Sequence, residues 1–127
     1  MIYLDNKHRR IKVAVGNSFI ILILREPTTD EYTNFIAVVS HPARKESQHE
    51  KVVQKRIAFI DKLLVGVDGE DSEGNKEEIA IQGDGEISLL TAEIEGWKNH
   101  IRPSWKLAAS FTLEGRFGAE EQDALKN

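Results

Sequence analysis

Four histidines, His8, His41, His49 and His100, are the side chains able to move a proton near neutral pH. They are scattered: none stands at metal-ligand spacing, and none neighbours a recognisable nucleophile. Each therefore reads as a surface group. The chain has no cysteine, which removes thiolate nucleophiles, thiolate metal sites and disulfides together. Ser104 and Ser110 lack the glycine-flanked turn of a nucleophile elbow. Gly66, Gly69 and Gly74 are not followed by the Gly-Lys-Ser/Thr of a phosphate loop. The acidic run from Asp68 to Glu78 offers alternating carboxylates, the donors a calcium ion takes, but with Gly74 as the turn glycine Ala80 falls where the bidentate glutamate belongs. The run reads instead as a solvated, mobile loop over 68–78. No catalytic residue, cofactor or metal cage emerges, and the expectation is a non-enzyme.

Binding chemistry is better represented. Lys7-His8-Arg9-Arg10-x-Lys12 forms a basic hairpin able to neutralise a few phosphates. It lacks the interleaved aromatic platform of single-strand binders, and the net charge of −4 gives no global attraction for nucleic acid. An anion or nucleic-acid module built on 7–12 is kept as an alternative to a plain protein contact. The residues expected to meet a protein partner are the exposed members of Tyr32, Phe35, Phe59, Trp97, Trp105 and Phe111, since buried aromatic anchors dominate interface energetics. The repeated pairs Trp97-Lys98 and Trp105-Lys106 admit two readings, core tryptophans or a partner anchor.

The elements that must position these residues are organised around Phe19–Leu64. Phe19-Ile20-Ile21-Leu22-Ile23-Leu24 is an unbroken apolar run whose length and β-branching favour a strand. Its lack of alternation predicts cover on both faces, by helices on one side and by another layer or subunit on the other. Ile11, Val13 and Val15 alternate with polar or small residues as a half-buried strand does. Asp5-Asn6-Lys7 and Gly16-Asn17-Ser18 read as turns, and Ile2-Tyr3-Leu4 as a short extended piece. Residues 2–25 should thus form a small antiparallel sheet with the last strand central. At the junction, Pro27 keeps Glu26 out of the helical region, and Thr28-Thr29-Asp30-Glu31 carries a capping box. Tyr32, Phe35, Ile36 and Val39 lie on one helical stripe. Ser40-His41-Pro42 should end that helix, and a second should run from about Ala43 to Leu64, with Val52, Val53, Ile57, Ile60 and Leu64 on its apolar face. Val65-Gly66-Val67-Asp68-Gly69 reads as its stop, with Gly66 or Gly69 as left-handed cap. Ile79-Ala80-Ile81 suits a short strand, Ile87–Ile94 a strand or a short helix, and Trp97–Ile101 about one helical turn. Pro103 suits a first helical position, although 103–114 also alternates like a strand. Gly115–Asn127 is poor in apolar residues and reads as a frayed tail.

The resulting fold class is α+β, a small N-terminal antiparallel sheet followed by helices packed on it, in one domain over 1–114. A length of 127 residues supports one continuous core, and 40% hydrophobic with 30% charged residues is ordinary for a soluble chain. Asp5 arrives too early for a signal peptide, Phe19–Leu24 is too short to span a bilayer, and the absence of cysteine fits the cytoplasm.

Several patches between residues 19 and 113 resemble the small tail assembly chaperones of tailed bacteriophages and prophages. They are the junction Leu24-Arg25-Glu26-Pro27-Thr28-x-x-Glu31, the segment Arg56-Ile57-x-Phe59-x-Asp61-x-Leu63-Leu64-Val65-Gly66-Val67, and the late block Gly96-Trp97-Lys98 … Ile101-x-Pro103-x-x-Trp105-Lys106-x-Ala108-Ala109. The acidic 68–78 run is longer than that pattern. The resemblance implies a non-catalytic protein in the cytoplasm of a bacterial host that coats the helical tape-measure protein before the tail tube forms. A structural tail or head–tail subunit, self-assembling as a homo-oligomer through its apolar first sheet, is the competing expectation.

Overall fold

The computed structural model describes residues 1–2, 7–40 and 46–126. A four-stranded antiparallel sheet, in the order β1 (Arg9–Val15), β2 (Ser18–Leu24), β3 (Leu64–Glu70) and β4 (Lys76–Glu77), carries the helices α1 (Thr29–Ser40), α2 (Glu46–Leu63) and α3 (Pro103–Leu125). A two-stranded ribbon, β5 (Ala80–Gln82) with β6 (Ile87–Leu89), and a 3₁₀ turn over Trp97–His100 lead into α3. The α+β class is as expected from the sequence, with β2 central. The expected piece Tyr3-Leu4, the turn at Asp5-Asn6, and the helix boundary at His41-Pro42-Ala43 lie outside the described residues.

Local chemistry explains the first half of the chain. β1 and β2 join through Gly16-Asn17, with Gly16 at φ 62°, the conformation a tight primed hairpin turn asks of its first residue. Ile11, Val13, Ile20, Leu22, Leu24 and Val67 bring one face of the sheet against Phe35, Phe59, Ile60 and Leu63 of the helical pair and Leu113 and Phe117 of α3. At the strand-to-helix junction Glu31 N–H donates to Thr28 Oγ1 (3.2 Å) and Thr28 N–H donates to Glu31 Oε1 (2.8 Å), so the capping box is complete and Thr28 is the cap.

On the other face of β2 the middle residue is covered from within the chain. Ile21 is 1% exposed there, although no helix covers it. It pairs with Lys12 on one side and Asp68 on the other. Arg10 reaches Asp68 (3.0 Å) and Lys12 reaches Glu70 (2.7 Å), so two ion pairs cross β2 diagonally and lay their alkyl stems over it. Within the chain, this roof of long side chains supplies the cover over Ile21 on that face.

Three further expectations are corrected. Val65–Gly69 does not stop α2; it lies in β3, which starts directly after Leu63, and neither Gly66 nor Gly69 has positive φ. β2 needed a second neighbour, and pairing Leu22 with Val67 supplies it. Gly69 is required for a different reason: a Cβ there would lie 2.4 Å from the carbonyl oxygen of Glu77 on β4. The acidic 68–78 run is consequently no continuous loop. It opens inside β3, turns where Asp71 Oδ1 accepts from the N–H groups of Glu73 (2.9 Å) and Asn75 (2.8 Å), and closes in β4. Residues 115–126 are no frayed tail either, because α3 runs to Leu125 and Phe117 is buried in the core. Ala109, Leu113 and Phe117 repeat at four-residue spacing, which carries the core stripe past Gly115. Glu120 holds Arg9 at 2.8 Å, and the Tyr32 hydroxyl donates to Glu121. The strand-or-helix ambiguities resolve as β6 over Ile87–Leu89 and as helix from Pro103 at its first position.

Candidate partner-binding groove

α1 and α2 lie side by side, and between them runs an open groove of about 700 Å³. Its floor and walls come from Phe35, Ala37 and Val38 of α1 and from Val52, Ala58 and Phe59 of α2. The sequence places these residues there by surplus. α1 is apolar at Tyr32, Phe35, Ile36 and Val39, the stripe that meets the core, but also at Val38, which falls outside it. α2 sends Phe59, Ile60 and Leu63 into the core and leaves Val52 half-buried beside the groove. Phe35 and Phe59 stack with ring centroids 4.2 Å apart, tying floor to core.

The rim is charged, and mostly of one sign. Lys51, Lys55 and Lys62 line the groove from α2, all exposed, and among the described residues no carboxylate pairs with them. The lining carboxylate, Glu31, is already engaged: Arg25 Nη1 and Nη2 each donate to one of its oxygens at 2.8 Å. That pair and then the Thr28 N–H pull its carboxyl from 4.5 to about 2, and Glu31 in turn raises the pKa of Arg25.

The opposite side of α2 is matched charge by charge to α3. Arg56 is 7% exposed; its Nη1 donates to Ser110 Oγ (3.3 Å) and its Nη2 to Glu114 Oε1 (2.5 Å). Lys106 donates to Asp61 Oδ1 at 2.6 Å, and Lys98 to the Asp61 carbonyl at 2.9 Å.

The aromatic residues expected to bind a partner are not gathered in one place. Phe35 and Phe59 are core residues whose edges form the groove floor. Tyr32 packs edge-on against Phe117 at 5.2 Å, with its hydroxyl pKa raised by Glu121. Trp97 and Trp105 are partly buried against the core, Trp105 beneath Arg102 at 5.2 Å. Phe111 is 56% exposed and stacks over the Arg56 guanidinium at 4.1 Å. The groove residues Val38, Lys51, Lys55 and Lys62 escaped sequence reasoning, although Lys51 and Lys55 stand one turn apart and Val38 was an apolar residue with no assigned face.

Most of the basic segment 7–12 belongs to β1, which begins at Arg9; Lys7 and His8 precede it. Arg9 meets Glu26 and Glu120, Arg10 meets Asp68, and Lys12 meets Glu70. Glu120 foremost, then Glu26, raises the Arg9 pKa against the opposing effect of burial. Among the described residues no cluster of histidines and carboxylates is gathered to hold a metal ion, and no helix is long and apolar enough to cross a membrane. No family model matches the chain, and neither a curated protein nor a solved structure shows significant similarity to it.

Proposed function

We propose that this chain is a non-catalytic protein-binding module whose α1–α2 groove receives a helical segment of its partner. The observation that carries the reading is the groove itself: an apolar floor walled by two helices, the geometry of helix-in-groove recognition. With the resemblance noted above, the specific role we propose is that of a tail assembly chaperone, holding the tape-measure protein in the bacterial cytoplasm during tail morphogenesis. Of the resembling patches, Leu24–Glu31 reaches the first turn of α1, and Arg56–Val67 covers the last two turns of α2 before it enters β3. The test is co-purification with the proteins encoded beside this chain, among which this reading requires a long helical one. Val38→Gln and Val52→Gln, which replace groove residues outside the core cluster, should each weaken capture about tenfold or more while leaving the fold intact. Undiminished capture by both variants, or no capture by the wild type at any salt, would overturn the reading.

A self-assembling structural subunit is favoured by one other observation. Ile87 and Leu89 on β6 are 71% and 46% exposed. Light scattering of the purified chain separates the two readings, because a subunit of this kind grows into rings or tubes alone.

A further inference from the structure

Lys51, Lys55 and Lys62 stand on one side of an apolar floor in a chain whose net charge is −4. On β1 and across the α2–α3 contact, by contrast, Arg9, Arg10, Lys12, Arg56 and Lys106 all reach carboxylates. The groove lysines do not, and the lining carboxylate Glu31 is held by Arg25. A row of cations beside an apolar channel is complementary to an amphipathic helix with acids along one edge. The first and last of these lysines are separated by roughly 16 Å of helix, at about 1.5 Å per residue, so a partner helix of about three turns meets all of them.

We infer that the groove selects an amphipathic helical protein segment whose apolar stripe is flanked by carboxylates spaced to meet Lys51, Lys55 and Lys62. This rests on the reading of the groove as a protein-binding site, and it adds the sign and spacing of the partner's charges. The apolar stripe supplies the area removed from water, and the lysines set which helices enter and in which register.

The experiment uses the full chain and three synthetic peptides of about 18 residues, long enough to cover the groove. They share one apolar stripe, flanked by glutamate, glutamine or lysine, and carry a fluorescent label read by anisotropy. The glutamate peptide should bind about tenfold more tightly than the glutamine peptide, the size expected of several exposed ion pairs acting together, and the lysine peptide more weakly still. The preference should fade between about 0.03 and 0.3 M salt as the charges are screened. Lys51→Gln/Lys55→Gln/Lys62→Gln should abolish the preference while leaving the glutamine peptide bound as before. Equal binding of glutamate and glutamine peptides, both lost in Val52→Gln, would overturn the charge selection and keep the binding site. Failure of every peptide to bind, or binding indifferent to Val52→Gln, would overturn both. Self-association of the chain that Val52→Gln abolishes would put a second copy in the groove and likewise overturn the inference.

Discussion

The two long sides of α2 treat charge in opposite ways. Toward α3, Arg56 and Asp61 each have a fixed partner, and the guanidinium is buried because Ser110 and Glu114 satisfy it. Toward the groove, Lys51, Lys55 and Lys62 line an apolar channel with no described carboxylate to meet them. A buried cation has to be paired or its desolvation destabilises the fold, whereas an exposed lysine carries little such cost. The first side is therefore an internal joint, and the second is free to spend its charges on another molecule. The roof over Ile21 belongs with the joint: charges there are matched and cover apolar surface within the chain.

Substitutions should separate these sides by the size of their effects. The largest loss is expected where α3 is anchored. Phe117→Ala removes a buried ring touching Tyr32 and Phe35, and should cost about 3–5 kcal/mol in urea unfolding. If residues 115–126 were a tail, the midpoint would not move. Arg56→Ala strips the joint of its charged hydrogen bonds and should cost about 1.5–3 kcal/mol. A neutral outcome would place Arg56 with the groove lysines and erase the contrast.

Smaller effects are expected at the start of α1. Thr28→Ala should cost about 0.5–2 kcal/mol and Thr29→Ala distinctly less, because Thr28 makes the cap bond. Equal midpoints for both variants and the wild type would remove the cap from the account. Glu31 adds a pH dependence. Its carboxyl is depressed from 4.5 to about 2 by Arg25, so its contribution is fully present above the higher value and is lost as pH falls through the lower. Acid titration of the melting temperature should therefore be flatter in Glu31→Gln across that window. Identical profiles would show that the Arg25 pair contributes nothing. The smallest change is expected from Lys51→Gln/Lys55→Gln/Lys62→Gln, within about 0.5 kcal/mol of wild-type stability. A marked loss would mean that these lysines already have a structural task.

Features that depend on adjacent residues were legible in the sequence. The capping box and the β1–β2 turn are settled within a few positions, and both are found where expected, whereas the helix from Pro103 is one of two readings that its own residues leave open. β3 was not legible, because Leu64–Glu70 holds two glycines and two acids and owes its extended form to β2, some forty residues away in sequence. The end of α3 was misread for a related reason: one apolar residue, Phe117, holds it, with partners on β1 and α1 that only the fold brings near. The groove was half legible. The surplus apolar residue Val38 and the spacing of Lys51 and Lys55 are visible in the chain, but which faces of α1 and α2 stay uncovered is decided by where the sheet and α3 pack.

The central claim is that the partner docks between α1 and α2, and the most direct measurement is an NMR titration of the ¹⁵N-labelled chain with the glutamate-flanked amphipathic peptide. The account predicts shifts concentrated at Phe35, Val38, Val52, Lys55 and Phe59, with Phe111, Ile87 and Leu89 unmoved. Shifts centred on Phe111 or on β6, with the groove silent, would contradict it.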